Sequence, residues 1–180
     1  MMTLIIGGSG SGKSAYAEAY LYSLSGEKKK YYIATMQVCD AESEKKMERH
    51  RKLRSGKKFF TIEQSRDIQK AAEKMEAGEK TALLEDVANL TANELFAEEI
   101  PKTEEAVTEK IVGGVEIVSK ELAHFVIVSN NVFEDGKGYD KATMAYIRAM
   151  GRINEKLAEM ADEVVEVVVG IPLVVKSGNV

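Results

Sequence analysis

An α/β fold with a mostly parallel central sheet is what this sequence predicts, on three observations. Apolar runs of strand length alternate with amphipathic stretches of helix length, the pattern of βα units. A glycine-rich stretch, Gly7-Gly8-Ser9-Gly10-Ser11-Gly12-Lys13-Ser14, lies between the first apolar run and the first helical one. The chain has 180 residues, enough for a single domain over 1–180 with a sizeable core.

Taken in order, Thr3-Leu4-Ile5-Ile6 reads as a buried strand and Ala15 to Leu21 as the start of a helix. Tyr31 to Thr35 is a second strand. From Asp40 to Arg54 the acids come first and the bases last, which complements a helix dipole, with Asp40 as N-cap and Gly56 as the stop. Lys58 to Glu63 is a short third strand, and Arg66 to Glu76 a helix closed by Gly78. Thr81 to Asp86 is an apolar strand ending in two carboxylates. Helical signal covers Ala88 to Glu99 and, beyond Pro101, Thr103 to Ala123. Phe125 to Ser129 is the fifth strand, followed by a polar loop through Gly138 and a helix from Tyr139 to Met160. Asp162 to Val169 and Leu173 to Lys176, split by Gly170-Ile171-Pro172, read as a hairpin that gives the sheet an antiparallel edge strand.

The glycine-rich stretch fits GxxxxGK[ST], the phosphate cradle of P-loop nucleotide-binding proteins. Gly7, Gly10 and Gly12 permit backbone turns that bring successive N–H groups onto one anion, and Gly8, Ser9 and Ser11 complete the loop. The next helix adds its positive N-terminus. Lys13 would reach the β- and γ-phosphates of a nucleoside triphosphate, and the Ser14 hydroxyl would ligate Mg²⁺. Glu85 and Asp86, at a strand's carboxyl end, stand where ligands of open α/β sheets bind and could hold the same metal. For Asp86 the alternative is capping the next helix.

Bulk properties narrow the field. A net charge of −4 gives no global case for nucleic-acid binding, and no apolar run is long enough to span a bilayer. The lone Cys39 excludes an internal disulfide and fits a reducing cytoplasm. His50 lies in the basic run Glu48 to Arg54 and reads first as part of a solvated face. It shares a helix face with Arg54, however, and an imidazole among cations stays neutral and nucleophilic toward phosphorus. His124 and Cys39 read as structural.

Several of these features fall in one order and spacing. They are GGSGSGKS with Ala17-Glu18; Tyr32-Ile33-Ala34-Thr35 with Gln37; His50 and Arg54; Thr61 and Glu63; Leu83-Leu84-Glu85; Thr91, Asn93 and Leu95-Phe96; Asn130 and Val132; and Gly151 to Ala158 running to Gly170-Ile171-Pro172. In these the chain resembles the bifunctional adenosylcobinamide kinase / adenosylcobinamide-phosphate guanylyltransferase family of cobalamin assembly. The resemblance implies a three-layer, RecA-like P-loop fold. It also implies phosphorylation of the aminopropanol hydroxyl of adenosylcobinamide by ATP or GTP, then GMP transfer from GTP through a covalent histidine–GMP intermediate that maps onto His50. Thr35, Arg54, Glu63 and Glu85 join the loop as nucleotide-binding residues, Ser14 and Glu85 as ligands of Mg²⁺. The family assembles as trimers. Where it usually reads Thr-Asn-Glu-Val-Gly, this chain has Ser129-Asn130-Asn131-Val132-Phe133, an amide in place of a carboxylate. The rival readings are a diverged P-loop kinase of another small alcohol and a GTP-binding module without turnover.

Overall fold

The computed structural model describes residues 1–37, 59–99, 102–131 and 139–178. The expected helix over Asp40 to Arg54, with Cys39, His50 and Arg54, lies outside the described residues, as does the loop over 132–138.

Seven strands form one sheet: β1 (Met2–Gly7), β2 (Lys29–Ala34), β3 (Phe60–Glu63), β4 (Lys80–Glu85), β5 (His124–Asn130), β6 (Glu163–Val168) and β7 (Ile171–Lys176). Their order across the sheet is β3-β2-β4-β5-β1-β6-β7, parallel throughout except for the antiparallel β6–β7 pair at one edge. Among the described residues the helices are α1 (Lys13–Ser25), α2 (Lys70–Glu73), α3 (Val87–Leu95), α4 (Glu104–Lys120) and α5 (Lys141–Met160).

Alternation along the strands builds three layers. Ile5, Leu83, Val126 and Val128 pack with Ala17 and Leu21 of α1 on one face. Leu4, Leu84, Phe125 and Ile127 pack on the other with Leu90 of α3, Ile111 and Val115 of α4, and Ile153 and Leu157 of α5. The strands inside the sheet are buried on both faces, which is why they read as unbroken apolar runs.

Three expected elements differ in extent. The helix expected over Arg66 to Glu76 is a single turn, Lys70–Glu73: Asp67 has a φ of +52°, and the bonds from Lys70 N–H to Asp67, Ala71 to Ile68 and Met75 to Ala72 span three residues rather than four. Helix α3 stops at Leu95 rather than Glu99: Glu98 and Glu99 are exposed, leaving little apolar surface to bury beyond Leu95, and Lys102 N–H folds back onto the Leu95 carbonyl. The edge hairpin turns on Val169 and Gly170 alone, with φ of +45° and +83°, so Ile171 and Pro172 belong to β7. Positive φ at both turn positions suits a two-residue hairpin, and Pro172 is tolerated because β7 is an edge.

Candidate active site

The loop after β1 takes its shape from local constraints. Gly10 and Gly12 have φ of +73° and +89°. A Cβ on Gly7 would lie 2.6 Å from the Val167 carbonyl oxygen and 2.6 Å from Ser11 Oγ, so only glycine fits where the loop leaves the sheet. The Ser11 carbonyl accepts from Gly170 N–H at 2.8 Å, pinning the loop to the β6–β7 turn. Helix α1 has no side-chain cap and no acid in its first turn. Lys13 N–H makes only a long 3.4 Å bond to Ser11 Oγ, and with no acid in the first turn the helix's positive end faces the loop uncompensated, as an anion site requires.

Lys13 is 8% exposed and donates through Nζ to the Gly8 carbonyl at 3.1 Å. Burial lowers its pKa, while the charges of Glu85 and Asp86 pull the other way. Ser14 Oγ donates to Glu85 Oε1 at 2.6 Å. Glu85 Oε2 is buried and has no hydrogen-bond partner among the described residues. Burial first, then the charge of Asp86, pushes the Glu85 carboxyl up to about 8, against the pull of Ser14 and Lys13. An orphaned carboxylate oxygen beside a hydroxyl is a hard-oxygen pair that fits Mg²⁺, which takes few protein ligands and completes its shell with water and phosphate.

The other expected residues sort themselves around this centre. Thr35 is fully buried; its Oγ1 lies 2.8 Å from the Asp86 carbonyl and accepts from Asp86 N–H at 2.8 Å, so it ties the end of β2 to the end of β4. Asn93 reinforces the corner, donating to the carbonyls of Thr35 and Ser65. Glu63 ends β3 on the same rung as Ala34 and Glu85, two strand spacings or about 10 Å from Glu85. Asp86 caps α3, accepting from Asn89 N–H at 2.7 Å, the alternative its position left open. His124 opens β5 at the far end of the sheet, where burial lowers its pKa. The structure thus brings Lys13, Ser14 and Glu85 together at the loop, with Thr35 as a backbone tie and Glu63 at the rim.

Four polar residues outside the expected set complete the surroundings. Asn130, opposite Gly7 in the register, alternates onto the α1 face with Val126 and Val128, and its Oδ1 is buried without a partner among the described residues. Asn154 of α5 donates to the Asn130 carbonyl and bonds Ser129 Oγ, fixing that strand end. Asn131, the residue after the end of β5, donates to Glu166 Oε1 at 2.7 Å. The available signal was polarity out of place: Glu166 interrupts Val164-Val165 and Val167-Val168, and Asn130 ends an apolar strand.

The family model described as cobinamide kinase / cobinamide phosphate guanyltransferase matches residues 3–175. The chain belongs to this family. The curated "Bifunctional adenosylcobalamin biosynthesis protein CobU" of Escherichia coli (strain K12) is 30% identical to it over 185 residues, covering 98% of this chain and 100% of the relative. The protein of the same name from Salmonella typhimurium is likewise 30% identical over the same coverage. Among solved structures, an ATPase domain is similar with a TM-score of 0.54 at 11% identity, covering 92% of this chain and 68% of that one. The flagellar accessory protein FlaH of Methanocaldococcus jannaschii gives 0.52 at 15% identity, covering 98% and 78%. These two likenesses establish the RecA-like P-loop fold. Family membership makes the chain a nucleotide-using enzyme with kinase and guanylyltransferase activity.

Proposed function

We propose that this chain phosphorylates the aminopropanol hydroxyl of adenosylcobinamide with ATP or GTP, then transfers GMP from GTP to that phosphate through a covalent adduct on His50. The observation that carries the reading is the Lys13, Ser14 and Glu85 constellation on an uncapped helix N-terminus. In the first step the hydroxyl oxygen bonds to the terminal phosphorus, the bond to the bridging oxygen breaks, and the hydroxyl proton leaves. The loop amides and Lys13 hold the phosphate oxygens and stabilise charge on them. Ser14 and Glu85 would hold Mg²⁺, which supplies charge neutralisation on the phosphates. In the second step GTP occupies the same loop, where the amides and Lys13 again hold its phosphates, and the His50 imidazole attacks the α-phosphorus as pyrophosphate departs. The cobinamide phosphate then displaces the imidazole and forms the diphosphate link. Arg54, four residues from His50, and Glu63 at the rim serve as nucleotide contacts.

The substrates are adenosylcobinamide, GTP and ATP, handled by one domain in the cytoplasm. A homo-oligomer, a trimer by family resemblance, gains support from β7: Ile171, Leu173, Val174 and Val175 are each half exposed or more. Among the described residues no helix is long and apolar enough to cross a membrane. The test is incubation with Mg²⁺ and α-³²P-GTP, followed by a denaturing gel of wild type and His50→Ala. An acid-labile, alkali-stable label absent from the variant is the expected result. No label on folded, GTP-binding wild type overturns the His50 assignment.

A further inference from the structure

A hydroxyl that is to attack the terminal phosphate needs an acceptor for its proton at that end of the loop. Glu85 already engages Ser14 and points to the α1 face, and Asp86 is committed to the Asn89 N–H. Glu166 stands apart from both. It pairs in the register with Ile6, directly before the loop, on the strand that flanks β1 on the side away from β4. Asn131 follows β5, on the opposite side of β1, so the bond from Asn131 Nδ2 to Glu166 Oε1 spans the point where β1 gives way to the loop. Asn131 Oδ1 lies 3.9 Å from where a Cβ on Gly8 would be, and the Gly8 carbonyl is the group that Lys13 Nζ contacts. The pair thus sits at the end of the loop marked by the lysine ammonium. A carboxylate in that spot repels phosphate oxygens and accepts from an O–H, so its chemistry suits the acceptor and not the nucleotide. Asn131 is exposed and Glu166 partly exposed, open to a substrate arriving from solvent.

We propose that Glu166, oriented by Asn131, forms the subsite for the phosphoryl-accepting alcohol. This rests on the reading above that the loop and Lys13 hold the triphosphate of the kinase step. Glu166 accepts the hydrogen bond of the attacking hydroxyl. As the new O–P bond forms and the bond to the nucleoside diphosphate breaks, the carboxylate takes the proton and later returns it to solvent. Asn131 is a positioning residue that fixes the carboxylate by its Nδ2 donor.

The experiment measures the two half-reactions separately, phosphorylation of cobinamide and GMP transfer to cobinamide supplied already phosphorylated. Glu166→Gln is expected to lower kcat of phosphorylation about 100-fold, with GMP transfer, GTP affinity and the unfolding midpoint near wild type. Asn131→Ala is expected to cost about 10-fold in the same half-reaction, and Glu166→Asp to restore part of the loss. Equal losses in both half-reactions would mean a damaged nucleotide site, and unchanged phosphorylation in Glu166→Gln would mean a surface carboxylate; either overturns the assignment. Failure of the underlying reading looks different, because then wild type itself does not phosphorylate cobinamide.

Discussion

Replacing Glu85 with glutamine should give a more stable and nearly inactive protein. The Glu85 carboxyl, ordinarily near 4.5, is pushed up to about 8, chiefly by burial and then by Asp86. Between those values the native state keeps the proton while the unfolded chain releases it, so the free energy of unfolding falls as pH rises across the window. At about 1.4 kcal/mol per pH unit, wild type has lost about 3 kcal/mol to this one group by pH 7. Against a total stability of about 5–15 kcal/mol that is a large share. Glutamine keeps the shape and the oxygen that accepts from Ser14 but carries no titrating proton. Guanidinium unfolding of both proteins without Mg²⁺ reads the effect. Their stabilities should lie within about 1 kcal/mol at pH 5 and separate by about 3 kcal/mol at pH 7, the variant being the more stable, while phosphotransfer falls on the order of 100-fold or more. Parallel pH profiles, or a variant no more stable than wild type at pH 7, would refute the reasoning.

Other consequences can be checked alongside it. Gly7→Ala sets a Cβ against the Val167 carbonyl at 2.6 Å and should cost about 1–3 kcal/mol in unfolding free energy and at least about tenfold in nucleotide affinity, measured by denaturation and by titration. Asn130→Ala removes an amide oxygen that is buried without a partner among the described residues, so thermal unfolding should show no loss of stability while turnover drops; a lower midpoint would mark Asn130 as purely structural. Lys110 Nζ joins Asp67 Oδ1 at 2.5 Å to Glu94 Oε2 at 2.7 Å, and Glu94 is only 1% exposed. Lys110→Met should therefore cost about 3 kcal/mol at pH 7. The same cation, with Lys70, holds the Asp67 carboxyl down to about 2, so this pair stabilises the fold above the ordinary carboxylate range and is lost as pH falls toward 2. Asp67 is a third exposed, so solvent screening holds that acid loss to about 1 kcal/mol in an acid titration of unfolding.

Much of the fold was legible because the strands inside the sheet are buried on both faces and read as unbroken apolar runs, Leu4-Ile5-Ile6 and Phe125-Val126-Ile127-Val128 above all. Helix starts were legible to within two residues for α4 and α5, and the structure shows why: Thr103 and Asp140 cap them. Helix ends were harder: propensity continues past Leu95 and begins before Lys70, and tertiary contacts decide where the turns stop. At the site, the loop carries its own signature in glycine spacing, and Glu85 shows as a carboxylate closing an apolar strand. Asn130 and Asn131 show in the sequence only as part of the segment that departs from the family pattern, and Glu166 carries no local motif. Their meaning comes from β5 and β6 flanking β1, a pairing between residues far apart in the chain. Thr35 enters the nucleotide set through the family resemblance alone, and only the fold shows that its hydroxyl bonds the backbone of Glu85 and Asp86.

The central claim is that one phosphate loop serves both chemical steps and that His50 serves only the second. The most direct measurement follows cobinamide phosphorylation and GMP transfer to pre-phosphorylated cobinamide, each in Lys13→Ala and in His50→Ala. Lys13→Ala should lose on the order of 100-fold or more in both half-reactions, and His50→Ala should lose GMP transfer with phosphorylation kept near wild type. GMP transfer that survives His50→Ala, or either half-reaction at full rate in Lys13→Ala, would contradict the claim.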